Sequence, residues 1–136
     1  MRDAIHVNYG QTGSSQQYND MGMRPMQARV FAKRDEQYIL VKAPPASGKS
    51  RALMFLGLDK LHNQGVRKVI VAVPEKSIGS SFKTTHLKEH GFFADWIVPN
   101  QWNLCLDIGT LEEGAVLEGK VNTLRAFLAA DNDEPV

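Results

Sequence analysis

Residues Ala43–Ser50 have the types and the spacing that bind phosphate groups. The stretch reads APPASGKS, with an apolar run before it and an apolar helical pattern after it, which is the setting of a phosphate-binding loop. Small residues at Ala46, Ser47 and Gly48 let backbone N–H groups converge on phosphate oxygens. A helix that begins at Lys49 adds the positive end of its dipole at the same place.

Two side chains at the end of this loop would complete a site for a nucleoside triphosphate. The Lys49 ammonium would bind the β- and γ-phosphates, and the Ser50 hydroxyl would be a ligand of Mg²⁺. The sequence therefore predicts ATP and Mg²⁺ as cofactors. The predicted phosphate-binding residues are Ala46, Ser47, Gly48, Lys49 and Ser50, with Ser50 also at the metal.

The elements around the loop predict an α/β fold. Apolar periodicity and turn residues indicate three helices and two main strands. Strand, loop, helix and strand in succession form a βαβ unit, which predicts a parallel central sheet with a right-handed crossover. Ligands of such sheets lie outside the carboxyl ends of the strands. The predicted helices are Pro25–Glu36, Lys49–Asn63 and Lys120–Ala130, with a weaker one at Ser77–Leu87; the predicted strands are Tyr38–Val41 and Lys68–Val73, with shorter ones at Asp95–Val98 and Asn103–Ile108.

The composition of the chain indicates its size class and cellular location but does not identify a binding partner. The chain has 136 residues, which suits one modest core, and a formal net charge of +1. The small charge neither supports nor excludes a nucleic-acid partner. No apolar run is long enough to span a bilayer, and no signal-peptide core precedes residue 10, so a cytoplasmic location without membrane contact is expected. A single cysteine excludes an internal disulfide and a cysteine-rich zinc site.

The loop and two flanking segments together resemble the first RecA-like domain of superfamily 2 helicases and translocases, including the DNA-translocating subunits of restriction enzymes. That family has the pattern A-x-x-G-x-G-K-[ST], which the chain matches except at Ala46, where glycine is usual. Upstream, RPMQ resembles the segment in which a glutamine, here Gln27, contacts adenine. Downstream, VAVPEKSI resembles the motif that contacts the nucleic-acid backbone, which implies roles for Pro74, Lys76 and Ser77.

The resemblance implies a P-loop NTPase of RecA-like, three-layer architecture that is incomplete in this chain. Residues 1–22 would form a polar arm, and residues 23–136 a partial nucleotide-binding domain. The acidic DExx motif that hydrolysis needs is missing, because the late cluster Asp131–Glu134 follows a helical pattern instead of a strand. We therefore expect no catalytic residue and no ATPase in this chain alone. The parent protein would act on nucleic acid, DNA rather than RNA, together with its remaining helicase domains.

Two other functions remain open at the level of the sequence. The pattern P-x-A-S-G-K-[ST] at Pro44–Ser50 also resembles the phosphate loop of tRNA prenyl transferases, which keeps a P-loop transferase or small kinase as an alternative. The missing acid would equally suit a non-catalytic nucleotide-sensing module. We interpret the chain as the ATP-binding portion of a helicase or translocase, because this hypothesis explains Gln27 and the VAVP segment as well as the loop.

Overall fold

The computed structural model describes residues 19–105, 113–131 and 136, and the backbone alone at 76 and 113–118. Helices and irregular segments make up this part of the chain, which contains four α-helices and three short 3₁₀ turns. The helices are α1 (Pro25–Phe31), α2 (Lys49–Asn63), α3 (Lys76–Gly79) and α4 (Glu113–Ala129). None of the helices in the described ranges is long and apolar enough to cross a membrane. Most of the predicted polar arm, residues 1–18, lies outside the described residues.

The predicted parallel α/β sheet is wrong, because the described residues form no β-strand. Segment 38–41 has no regular structure and no backbone ladder. Tyr38 is 86% and Leu40 95% exposed, while Ile39 and Val41 are half-buried. The only bridge between extended residues of the described part joins Thr85 and Trp96. Strand-forming residue types indicate a fit to a pleated, half-buried surface, and they form a strand only where a neighbouring backbone pairs with them.

The predicted central strand Lys68–Val73 is an irregular segment in the structure. Continuous apolar residues predicted burial on both faces, yet Val69 and Val71 pack against the core while Ile70 is 56% exposed. The backbone here pairs with the last residue of the chain, since the Val69 N–H donates to the Val136 carbonyl at 2.9 Å. One face of this segment packs on the core and the other is exposed to solvent. The segment therefore lies on the surface of a helical core and is not a central strand.

The helix predictions differ in accuracy for local reasons. The prediction of α2 is confirmed over its full length, Lys49–Asn63, and a left-handed Gly65 follows its end. Helix α1 ends at Phe31 instead of residue 36, because the next residues form i→i−3 hydrogen bonds, such as Arg34 N–H to the Phe31 carbonyl at 3.1 Å. The predicted Lys120–Ala130 helix is the second half of α4.

The weaker predictions after segment 68–73 are only partly correct. The proposed Ser77–Leu87 helix is divided into α3 and the 3₁₀ turns Ser80–Phe82 and Leu87–His90. Of the short strand Asp95–Val98, only the bridge at Trp96 forms. Residues 103–105 are irregular, and the rest of the predicted Asn103–Ile108 strand lies outside the described residues.

The core lies where α1 and α2 meet the segment 87–96. Phe92 is at its centre, with its ring 4.7 Å from that of Phe55 and 5.9 Å from that of Phe31. Gly57 brings α2 close to Trp96, because a Cβ at this glycine would lie 3.1 Å from the indole ring. The Trp96 indole N–H donates to the Phe82 carbonyl at 2.9 Å. These contacts fix the segment 80–96 against α2, the helix whose first turn borders the candidate site.

A buried carboxylate ties the far end of α2 to the segment after α1. Asp59 is 4% exposed and accepts hydrogen bonds from Asn63 at 2.8 Å and Gln64 at 2.7 Å. The Arg34 guanidinium lies 3.8 Å from the same carboxylate. Because its oxygens have donors and a cation, the buried charge is compensated. The two helices are therefore held together by polar contacts at this end and by the aromatic core between them.

Candidate phosphate-binding site

The loop between segment 38–42 and α2 presents backbone donors at one point. The Ser47 N–H donates to the Pro44 carbonyl at 3.3 Å, which closes a tight turn before the helix. Gly48 is the residue before the first helical turn and has φ 90°, ψ 28°, with no side chain capping the helix. The N–H groups of the first turn have no carbonyl within their own helix to bind. They are donors available to an anion at the positive end of the α2 dipole.

Ala46 stands where the family pattern has glycine, and it adopts a backbone conformation typical of glycine. Its φ is 60°, which makes it the non-glycine residue with positive φ in the described part of the chain. A β-carbon in this region crowds the following carbonyl oxygen, and only glycine visits it without strain. The loop therefore keeps the backbone path expected of glycine while carrying a methyl group at its turn.

Lys49 extends its ammonium back over the loop. The Nζ atom donates to the Ala43 carbonyl at 2.6 Å and lies 3.4 Å from the Pro44 carbonyl. An ammonium group has three N–H donors and no acceptor. The charge is therefore held at the loop by neutral carbonyl groups, which a phosphate oxygen can replace with a stronger, charge-assisted partner.

The two loop serines have different surroundings. Ser50 borders the same cavity as Lys49, in the first turn of α2, and its role as a Mg²⁺ ligand stays a prediction. Ser47 does not border that cavity, and its buried Oγ has no hydrogen-bond partner among the described residues. Any contribution of Ser47 to an anion would therefore come from the backbone. The described residues contain no cluster of three or more His, Cys, Asp or Glu side chains that could hold a metal by themselves.

The start of helix α1 contacts the loop Ala43–Ser50 through two side chains. Gln27 is 2% exposed, accepts a hydrogen bond from the Arg24 N–H at 2.7 Å, and donates to the Gly48 carbonyl at 3.0 Å. The Arg24 guanidinium donates to the Ala46 carbonyl at 3.3 Å. The segment RPMQ, singled out in the sequence, therefore lies against the loop Ala43–Ser50. Contact between Gln27 and adenine stays a prediction.

A cavity of about 740 Å³ opens between this loop and the segment 80–86. One wall carries Arg24, Lys49, Ser50 and Arg51, and the other carries Ser80, Ser81, Lys83, Thr84 and Thr85. Four basic side chains thus face the cavity, against the carboxylate of Glu89. Its volume lies within the roughly 300–1,000 Å³ typical of small-molecule sites. An open cleft bordered by several cations and hydroxyl groups favours a polyanionic ligand.

The wall formed by the segment 80–86, the hydroxyl wall, was not predicted. The sequence showed a mild basic cluster at Lys83–Lys88 but gave no reason to place it opposite Lys49, more than thirty positions away. The bridge between Thr85 and Trp96, with N–H···O distances of 2.8 and 3.0 Å, fixes this wall. His86 and His90 also border the cavity. The signal that could have located the wall is its density of hydroxyl groups next to a lysine.

The predicted nucleic-acid residues lie apart from this cavity. Pro74 and Ser77 are exposed, and neither borders the cavity. The Ser77 hydroxyl donates to the Glu75 carboxylate at 3.3 Å. Lys76 begins α3, a helix of four residues, and its side chain is outside the described atoms. Contact of these residues with a nucleic-acid backbone stays a prediction.

No protein-family model matches the chain, and no solved structure matches it. The chain is similar to the Bacillus subtilis (strain 168) protein named Putative ATP-dependent helicase YeeB, with 68% identity over 104 residues. These residues are 76% of this chain and 17% of that protein, so the chain spans about a sixth of the relative's length. The relative's name agrees with the coarser part of the sequence prediction, an ATP-dependent helicase. The superfamily 2 assignment, the P-loop motif and Mg²⁺ stay predictions.

Proposed function

We propose that the loop Ala43–Ser50 binds the triphosphate of ATP with Mg²⁺, as the nucleotide-binding portion of an ATP-dependent helicase. The observation that carries the proposal is the convergence of Lys49 and the first turn of α2 on one cavity, with Arg24, Arg51 and Lys83 around it. Charge, donors and volume all suit a nucleoside triphosphate. The name of the relative supports a helicase over a transferase.

Each group has a defined task when the ligand binds. The Lys49 ammonium exchanges the Ala43 and Pro44 carbonyls for β- and γ-phosphate oxygens, and the first-turn N–H groups of α2 donate to the same phosphates. The Ser50 hydroxyl is a ligand of Mg²⁺, which neutralises phosphate charge. Arg24 and Lys83 add positive charge from the two walls of the cavity. All of these tasks concern binding and orientation.

The nucleic-acid part of the proposal rests on the exposed segment Pro74–Ser77. Nucleic acid, DNA rather than RNA, would contact this segment through its phosphate backbone, with Lys76 and Ser77 as donors. A contact from one lysine contributes about one unit to the salt dependence of binding. Stable binding would therefore require further domains of a longer helicase.

Calorimetric titration of the 136-residue chain with ATP, in the presence and absence of Mg²⁺, tests the nucleotide site. The variant Lys49→Ala removes a charge-assisted hydrogen bond, so its affinity should fall by roughly 10- to 100-fold, which corresponds to about 1.5–3 kcal/mol. The matched control Lys42→Ala changes an exposed lysine that does not border the cavity and should leave the affinity unchanged. Equal affinities of Lys49→Ala and the unsubstituted chain would refute the site.

The metal role of Ser50 has its own measurement. Ser50→Ala should weaken ATP binding when Mg²⁺ is present and leave the Mg²⁺-free affinity as it is, because only the metal-bound complex uses the hydroxyl. An equal loss under both conditions would assign the hydroxyl to phosphate instead of metal.

A further inference from the structure

Gln27 has its amide committed to the protein itself. Its oxygen accepts the Arg24 N–H at 2.7 Å, and its nitrogen donates to the Gly48 carbonyl at 3.0 Å. Gln27 borders the cavity, but with 2% of its surface exposed it offers little area to a ligand. A glutamine that reads a base must present both its donor and its acceptor to the base edge. In this structure, backbone groups of Gly48 and Arg24 already use one N–H and one oxygen lone pair of the Gln27 amide.

The Gly48 end of this contact is closely fitted. A Cβ placed on Gly48 would lie 2.5 Å from Gln27 Nε2, so the loop backbone and the amide approach as near as a glycine allows. Gly48 also accepts the Ala52 N–H at 3.1 Å, the first hydrogen bond of α2. Two residues earlier, the Ala46 carbonyl is held by the Arg24 guanidinium. The start of α1 therefore fixes the loop on both sides of Ser47.

The cavity itself carries little that could select a base. Among the described residues that border it there is no Phe, Tyr or Trp. The flat rings there are the imidazoles of His86 and His90, and Met54 is the large apolar residue. Selective sites surround a flat ligand with apolar surface and add a few convergent polar groups. Here the border is dominated by cations and hydroxyls, which recognise the charge of a polyphosphate and not the shape of a purine.

We propose that Gln27 is a positioning residue for the phosphate loop, and that the site accepts triphosphates irrespective of the base they carry. This inference rests on the proposed nucleotide site and specifies its substrate class. ATP, GTP and inorganic triphosphate all present the same oxygens to Lys49 and to the first turn of α2. Gln27 acts on each of them equally, by holding Gly48 where the N–H groups converge.

The test compares ATP, GTP and inorganic triphosphate, each with Mg²⁺, on the full 136-residue chain. The three affinities should agree within roughly 10-fold, whereas a site that hydrogen-bonds one base rejects its analogues by 10⁴-fold or more. A preference for ATP of 100-fold or more over both other ligands would overturn the inference. This comparison uses the unsubstituted chain and so does not depend on the folding of any variant.

The variant Gln27→Met supplies the positioning readout, with Gln101→Met, an exposed glutamine away from the cavity, as its control. Gln27→Met should weaken all three ligands by the same factor, roughly 10-fold for the two lost hydrogen bonds, and should speed amide hydrogen exchange at 46–52 but not at 58–61. Loss of ATP binding alone would overturn the inference, and so would equally faster exchange at both segments, which indicates a general loss of stability. Failure of the nucleotide site itself is recognised separately, by ATP affinity that survives Lys49→Ala.

Discussion

The left-handed conformation of Ala46 predicts that Ala46→Gly stabilises the protein. An L-residue at φ 60° bears a steric penalty of about 1–2 kcal/mol. Glycine removes this penalty but loses about 0.5–1 kcal/mol more backbone entropy on folding. The midpoints of these two ranges differ by about 0.7 kcal/mol, which is the expected gain in the free energy of unfolding. For a chain of 136 residues, that raises the melting temperature by roughly 2–4 °C.

Thermal unfolding followed by far-ultraviolet circular dichroism measures the effect. The matched control is Ala32→Gly, the same chemical change at an exposed residue with φ −61°. With no left-handed strain to relieve, the control should lower the free energy of unfolding, by up to about 1 kcal/mol. The reasoning is refuted if Ala46→Gly leaves the melting temperature unchanged or lowers it as Ala32→Gly does.

Two further predictions concern carboxylates away from the loop. The Lys88 N–H donates to the Asp95 carboxylate at 2.9 Å, and this hydrogen bond holds the pKa of Asp95 below its ordinary value of 3.8. The ionised Asp95 carboxylate therefore stabilises the folded protein above pH 3.8, and this stabilisation is lost as the pH falls through the lower folded-state pKa. A titration of the Asp95 carboxyl by NMR with a midpoint at or above 3.8 would contradict this. Asp59→Ala leaves the amides of Asn63 and Gln64 without their acceptor, so urea unfolding should show a loss of about 1–3 kcal/mol. A loss below about 0.5 kcal/mol, the usual range for surface substitutions, would show that solvent replaces the carboxylate.

Local signals in the sequence were sufficient for the helix that carries the site. Helix α2 is apolar nearly all round at its centre, follows a glycine, and is itself followed by Gly65, so its type and both of its ends could be predicted. The turn before it could also be predicted, because small residues and prolines favour a turn, and its binding of an anion stays a prediction. These features depend on residues that are neighbours along the chain, so they can be predicted from local sequence alone.

The fold class could not be obtained in this way. A sheet requires that segments distant in sequence align their backbones, and propensity in segments 38–41 and 68–73 says nothing about whether they meet. The hydroxyl wall was missed for the same reason, since Lys83 and Lys49 become neighbours only through the packing of Trp96 on Gly57. Gln27 was identified from its segment, and its bond from the Arg24 N–H is local, at the start of α1. Its bond to the Gly48 carbonyl joins residues 21 positions apart and could not be predicted from residue spacing.

The position of Trp96 gives the molecule an internal optical probe. Its indole lies over Gly57 on α2, while its N–H donates to the carbonyl of Phe82, which is part of the hydroxyl wall. Indole emission responds to the polarity around the ring and to the hydrogen bond at its nitrogen. A shift of the wall relative to α2 changes both, so fluorescence follows the distance between the two sides of the cavity without an added label. The second tryptophan, Trp102, has its ring 5.2 Å from that of Phe127, and the substitution Trp102→Phe would leave Trp96 as the single source of indole emission.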